Sequence, residues 1–312
     1  MKSARAFPLL LILFVIAILV AILVAVRPFT PMTEVSPVFS PSGLDAVKPA
    51  GSPSPVDSKR VQPRADRPAP ALRNPVIAPA GSRDEGVVEF KVVNGLAIAQ
   101  GDLLLGSTDE VLPGGKGHSE AAPVRFWETP EIPYSIHPEI PEPQRQKIEK
   151  AIAYLKQKTP VHLIPYEGQR DAIIFEAGNE HCISVLGKAG GLQPIRLDRD
   201  CGTQEVLHEI MHSLGFPHEQ SRRDRDQYVE ILWPNIEERY RDQYSVLPEI
   251  WMEAFRGSRF DTHSIMMYRT DTFSTHPGLA TMKSLTADPI QPVADGLSAE
   301  DILRLGRLFK TN

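Results

Sequence analysis

The feature that most constrains this chain is the segment 207–226, which reads LHEIMHSLGFPHEQSRRDRD. His208 and His212 are four residues apart, and on a helix this spacing brings both imidazoles to one face, close enough to share a metal ion. Gly215 suits a left-handed C-cap, which ends the helix and turns the chain so that His218 approaches the same ion from another side. Three neutral imidazoles leave one coordination position open for water, as in a catalytic rather than a structural zinc site. The segment therefore predicts one catalytic Zn²⁺ ion held by these three histidines.

Glu209 follows the first histidine of this motif. Its carboxylate is expected to reach a water molecule on the metal and to take a proton from it as a general base, without serving as a fourth ligand. Zinc lowers the pKa of such a water from about 15.7 towards about 7, so a nucleophile for amide bonds is available at neutral pH. The motif thus predicts peptide-bond hydrolysis without a covalent intermediate. The remaining histidines lack this spacing and are expected to be surface or packing residues: His118, His137, His162, His181, His263 and His276.

The region around this motif is predicted to combine a sheet with helices. Between residues 141 and 159, apolar residues recur at helical spacing with charged residues elsewhere, which predicts an amphipathic helix. Short apolar runs predict strands at 132–136, 161–166, 172–176 and 194–197, and an earlier strand at 87–93 that ends in the turn Asn94-Gly95. A layer of sheet and helix can hold a site rigidly.

The N-terminal part has a different character. Residues 6–26 are uncharged and follow Lys2 and Arg5, and as a helix they would extend about 30 Å, enough to cross a bilayer. Their length favours an uncleaved signal-anchor within 1–27, with a cleavable signal peptide as the alternative. The positive residues precede the segment, so we expect the rest of the chain outside the cytoplasm, either membrane-anchored or secreted. Residues 28–85 are rich in proline and are expected to be a disordered linker.

The motif carries a resemblance to a known family. The pattern H-E-x-x-H-x-x-G-x-x-H at 208–218 resembles the metzincin zinc peptidases, and Glu219 with the following Arg222, Asp224 and Arg225 resembles the astacin family in particular. The run Ser264-Ile265-Met266-Met267-Tyr268 resembles the Met-turn of that family, although Met267 stands where histidine is common. The resemblance implies that Met266 lies beneath the metal and that Tyr268 binds zinc at rest and then stabilises the oxyanion.

The resemblance covers roughly 118–312, from near Trp127 to a closing helix around 297–302. It implies an α+β, two-lobed zinc peptidase domain with a twisted, mainly N-terminal sheet, an active-site helix and a largely irregular C-terminal lobe. It also implies a disulfide between Cys182 and Cys201 beside the active-site helix. Pro160 occupies what looks like one half of the second disulfide of the family, so the tethering of the C-terminal end needs another explanation.

Residues 86–117 are expected to be a pro-segment. Gly101 and Asp102 match the motif with which astacin proforms place an aspartate in the open zinc position, although Ala99 stands where an aromatic residue is usual. A carboxylate there would block both water and substrate, whereas the alternative is an ordinary turn into a strand. Cleavage is expected within 113–122, around 116–118, and the resemblance implies that the new terminal ammonium moves towards Glu219.

The sequence therefore predicts a zinc endopeptidase that acts on protein or peptide substrates. The alternatives are a catalytically inactive binding or adhesion module of the same fold and a peptidase of another metzincin branch. Retention of Glu209, the three histidines and Tyr268 favours an active enzyme, and Glu219 favours the astacin branch. No nucleic-acid partner is expected, because the net charge is −5 and the Lys and Arg residues are scattered.

Overall fold

The computed structural model describes residues 87–107, 116–179 and 181–310. The predicted signal-anchor and the proline-rich linker lie outside these residues. Within the described residues no helix is long and apolar enough to cross a membrane.

The order of strands and helices along the chain shows that most of the sheet comes before the zinc motif. The strands are β1 (Val87–Val93), β2 (Leu96–Ala99), β3 (Leu103–Ser107), β4 (Lys116–Glu120), β5 (Glu131–Ile136), β6 (His162–Pro165), β7 (Ala172–Ala177), β8 (Ile183–Ser184), β9 (Leu192–Leu197), β10 (Val229–Ile231) and β11 (Met282–Ser284). The helices are α1 (Glu142–Lys158), α2 (Thr203–Ser213) and α3 (Ala299–Leu308). All five predicted strands and the predicted helix at 141–159 are confirmed, with ends that differ by two residues or fewer.

Among the described residues, nine strands form one sheet in the order β4-β1-β2-β3-β8-β9-β7-β5-β6. Strands β6, β5, β7 and β9 run parallel, whereas β8 is antiparallel to β9. Strand β3 adds to β8 in parallel, at the pair Leu103 and Ser184, and β1, β2 and β4 continue the sheet outward. The expected pro-segment thus covers the backbone of a strand that would otherwise be an exposed edge. The expected boundary at 117/118 falls inside β4.

Helices α1 and α2 pack against each other beside the sheet. The predicted apolar stripe of α1 is buried through Ile148, Ala151 and Leu155, each fully inaccessible to solvent. The loop before α2 is held by a disulfide between Cys182 and Cys201. The Gln144 amide of α1 donates a hydrogen bond to the Cys201 carbonyl at 3.1 Å, so both the disulfide and α1 hold the chain two residues before α2.

The chain after α2 is mostly irregular, with short 3₁₀ turns between 219 and 255 and the pair β10–β11. The closing helix α3 starts two residues later than the expected segment at 297–302. Ser298 caps it, because the Ser298 hydroxyl accepts a hydrogen bond from Asp301 N at 2.9 Å and the Asp301 carboxylate accepts one from Ser298 N at 3.1 Å. The same carboxylate accepts hydrogen bonds from the Ser264 hydroxyl at 2.7 Å and from Ile265 N at 2.9 Å. Helix α3 therefore holds the turn at 264–268 in place.

Candidate metal centre

Helix α2 ends where the motif requires a sharp turn. Gly215 has φ +104°, a left-handed conformation that strains any residue with a side chain, and its N–H donates to the His212 carbonyl at 2.8 Å. A Cβ atom at this position would also lie 2.6 Å from the Phe126 ring. The turn sends the chain back past the helix, so that His218 faces the histidines of α2.

The three motif histidines converge. Their ring centroids are 4.6 to 5.2 Å apart, and the Nε2 atoms of His208 and His218 are separated by 3.2 Å. The Nδ1 atom of His208 is 2.9 Å from the Ile265 carbonyl and that of His212 is 2.7 Å from the Phe216 carbonyl. A carbonyl only accepts, so both Nδ1 atoms carry the proton, and in the neutral rings each Nε2 offers a lone pair to the centre of the cluster.

Asp102 supplies a fourth ligand atom to this cluster. Its Oδ2 lies 3.0 Å from His218 Nε2 and 3.4 Å from His208 Nε2, and its Oδ1 lies 3.4 Å from His212 Nε2. The turn between β2 and β3 aims it there, because Gln100 and Gly101 both have positive φ, at 52° and 89°. These four residues form a group of side chains that could hold a metal ion.

The arrangement fits a tetrahedral zinc ion. Ligand atoms about 2.0–2.1 Å from zinc lie roughly 3.4 Å apart in a tetrahedron. Four separations between these groups are 3.0 to 3.4 Å, and all of the ligand atoms lie within 4.8 Å of one another. Among the described residues, six buried side-chain atoms have no hydrogen-bond partner, and two of them, His212 Nε2 and Asp102 Oδ1, lie in this cluster as ligand atoms. Buried polar atoms normally have a partner, and both of these atoms face the centre of the cluster. A cation at the centre would be the partner that they lack. Three imidazoles and one carboxylate are ligands that zinc accepts.

Asp102 and the histidines shift one another's pKa values. Burial would raise the pKa of Asp102, but the neighbouring histidines hold it well below its usual range. Burial would lower the pKa of His208, but Asp102 raises it to about 9, whereas burial lowers the pKa of His212 to about 4. The Asp102 carboxylate thus favours the protonated form of His208, and the ring must give up this proton to serve as a metal ligand, because only a neutral imidazole binds a metal.

Glu209 lies at the edge of the cluster and is 2% exposed. Its Oε2 accepts a hydrogen bond from the Ser184 hydroxyl at 2.7 Å, so β8 orients it. Burial, and then the negative charge of Asp102, raise the pKa of Glu209 to about 8. It is not one of the four residues of the ligand group.

Tyr268 packs against the third histidine, with its ring centroid 4.7 Å from that of His218. Its hydroxyl donates to the Gln100 carbonyl at 2.9 Å and lies 3.2 Å from Gln243 Oε1. The hydroxyl of Tyr268 is therefore hydrogen-bonded to Gln100, which lies two residues before Asp102. Met266 is fully buried, and its carbonyl accepts a hydrogen bond from Glu219 N at 2.9 Å.

Glu219 is fully buried and already paired. Its carboxylate accepts hydrogen bonds from Arg304 Nη1 and Nη2 at 2.8 and 2.9 Å, from Arg222 Nη1 at 3.1 Å and from Asp261 N at 2.8 Å. Its pairing with a mature amino terminus stays a prediction. The ion pair between Glu219 and Arg304 joins α3 to the residue after His218. It holds the C-terminal end of the domain, which lacks the second disulfide of the family.

A cavity of about 690 Å³ is lined by Asp102, His208 and Glu209 and also by Lys91, Tyr240 and Asp242.

Several residues around the site were not predicted from the sequence, namely Lys91, Gln100, Ser184, Gln243 and Arg304. Each is an ordinary polar residue whose role depends on a distant partner, so no local pattern marks it. Of the other histidines with described side chains, none joins the ligand group: His137, His162, His181, His263 and His276.

Comparisons with known proteins agree with this geometry. Residues 119–310 match the family model described as Astacin, a family of peptidases. The chain is 33% identical over 184 residues to the zinc metalloproteinase nas-13 of Caenorhabditis elegans, covering 59% of this chain and 40% of that protein. It is 29% identical over 232 residues to the meprin A subunit alpha of Rattus norvegicus, covering 73% of this chain and 30% of that protein. The match therefore spans less than half the length of either relative.

Among solved structures, the chain resembles high choriolytic enzyme 1, a hatching enzyme zinc-protease from Oryzias latipes. The TM-score is 0.54 and the identity 30%, with coverage of 60% of this chain and 95% of that one. This likeness and the observed sheet and helices confirm the predicted α+β, two-lobed metzincin fold.

Proposed function

The chain belongs to the astacin family of zinc peptidases, and on that premise we propose that it is a zinc-dependent endopeptidase acting on proteins or peptides. The observation that supports the proposal most strongly is the convergence of three imidazole groups on one point, where the Asp102 carboxylate supplies the fourth ligand atom. The disulfide between Cys182 and Cys201 supports a site of action outside the cytoplasm, where such bonds persist.

In this proposal one zinc ion is held by His208, His212 and His218. When bound, it supplies a Lewis acid that lowers the pKa of water and polarises a peptide carbonyl. Glu209 takes the proton of the attacking water, and the hydrogen bond from Ser184 holds its carboxylate in position. The same group then delivers the proton to the leaving amine. Once the Tyr268 hydroxyl is released from the Gln100 carbonyl, it would donate a hydrogen bond to the oxyanion and keep its proton.

We further propose that residues 86–117 keep the enzyme latent. Asp102 would take the fourth position on the metal, and Gln100 would engage the hydroxyl of Tyr268. Strand β3 pairs with β8 and occupies the edge that borders Glu209. Trimming within 113–122 would release the segment, and the new terminal ammonium would move towards Glu219.

The function is tested with the full-length chain after limited proteolysis with trypsin, which cleaves after lysine and arginine and can therefore cut after Lys116, followed by inhibition and removal of the trypsin. We expect one zinc per chain and hydrolysis of unstructured proteins such as casein, with activity lost in a chelator and restored by zinc. Trimmed protein that carries zinc but cleaves no peptide would refute the proposal.

Latency is tested by Asp102→Ala in the untrimmed chain, with Glu89→Ala, an exposed acid on β1, as the control. Loss of the carboxylate frees one metal position and removes one charged contact that holds the segment in place. We expect hydrolysis at least about 10-fold faster than by untrimmed wild type, and no change for Glu89→Ala. If untrimmed wild type is as active as a chain starting near residue 118, Asp102 is only a turn residue.

A further inference from the structure

Lys91 makes an unusual contact for a residue of the outer sheet. Its ammonium donates a hydrogen bond to Asp242 Oδ1 at 2.7 Å and another to the Arg239 carbonyl. It also lies 5.6 Å from the centroid of the Tyr240 ring. The two charged side chains are partly buried, at 28% and 20% exposed.

These acceptors belong to the segment Glu238–Tyr244, which follows the zinc motif, whereas Lys91 belongs to the expected pro-segment. Lys91, Tyr240 and Asp242 all line the cavity that also contains His208 and Glu209. Lys91 and Asp102, both from the expected pro-segment, therefore line the same cavity.

The acceptors are matched to an ammonium or guanidinium group. A carboxylate, a backbone carbonyl and the face of a phenol ring are the three kinds of group that bind such a cation in proteins. Arg239 is the other cation nearby: its guanidinium pairs with the Glu237 carboxylate at 2.9 Å and lies 4.7 Å from the centroid of the Tyr240 ring. Arg239 thus shares the ring with Lys91, whereas the Asp242 carboxylate pairs with the Lys91 ammonium. Removal of Lys91 would leave the carboxylate of Asp242 facing the cavity without this ammonium.

We propose that Asp242, the Arg239 carbonyl and Tyr240 form a specificity subsite for a lysine or arginine side chain of the substrate. Lys91 occupies this subsite while the segment is in place. The inference rests on the proposed function, because it requires residues 86–117 to leave the cleft of an active peptidase. The competing explanation is an ion pair that only fastens the segment and has no role after trimming.

The test compares matched peptides on the trimmed, zinc-loaded protein. One position at a time, on both sides of the cleaved bond, carries either lysine or norleucine, which has the same stem without the ammonium. We expect one position at which lysine raises kcat/KM by about 10-fold over norleucine, as expected for one charged hydrogen-bonded pair. Asp242→Asn should reduce that ratio to near 1, and Asp242→Lys should reduce it below 1, because the introduced ammonium repels the lysine of the peptide.

Glu230→Gln is the matched control, because Glu230 is an exposed acid of the same half of the chain that pairs with Lys283. It should keep the wild-type lysine preference. If Asp242→Asn leaves the ratio at every position unchanged, the subsite is refuted while the peptidase stands. If the trimmed wild type cleaves none of the peptides, the proposed function fails and the subsite fails with it.

Discussion

Arg304→Met should destabilise the protein by breaking the buried ion pair that attaches the closing helix. The guanidinium of Arg304 is 1% exposed and makes two hydrogen bonds to Glu219, at 2.8 and 2.9 Å. Removing one partner of a buried pair costs about 3–5 kcal/mol. Arg222 and the Asp261 N–H still contact the Glu219 carboxylate, so we expect the lower end, about 3 kcal/mol, or a Tm lower by roughly 6–12 °C.

The assay is urea unfolding of zinc-loaded protein under non-reducing conditions. Arg307→Met is the control, because its side chain on the same helix is 48% exposed, and it should cost less than about 1 kcal/mol. Glu219→Gln should cost about as much as Arg304→Met, and the double variant should cost at least about 1 kcal/mol less than the sum. A cost below about 1 kcal/mol for Arg304→Met, or strict additivity, would refute the role of this pair as a tether.

Two further predictions concern the trimmed enzyme and its scaffold. Tyr268→Phe should lower kcat by about 10²-fold with zinc content unchanged, since one oxyanion donor is lost, and a near-normal kcat would exclude that role. Replacing both Cys182 and Cys201 by alanine should lower the free energy of unfolding by about 3 kcal/mol, because the disulfide joins residues 19 apart. A change under about 1 kcal/mol in the urea transition would contradict this estimate.

Features set by local spacing could be predicted from the sequence. The stripe of Ile148, Ala151 and Leu155 predicted α1, and the four-residue step from His208 to His212 predicted that both face one point. Gly215 was expected to end α2 because a left-handed turn favours glycine, and its φ of +104° agrees.

Features set by distant partners could not be predicted in this way. Strand β8 has only two residues, too few for any alternation, and it exists because β3 and β9 pair with it. Lys91 and Asp242 are 151 residues apart, and Glu219 and Arg304 are 85 apart. Asp102 was reached only through the family resemblance, since a Gly-Asp pair before an apolar run is also an ordinary turn.

The most direct test of the account measures zinc content and turnover on the same preparations of trimmed wild type and Glu209→Ala. Glu149→Ala, an exposed acid on α1, is the matched control. If Glu209 is a general base and not a metal ligand, all three proteins should hold one zinc per chain. Turnover should then be lower by at least about 10²–10⁴-fold in Glu209→Ala alone. Near-normal turnover in Glu209→Ala, or loss of its zinc, would contradict the mechanism.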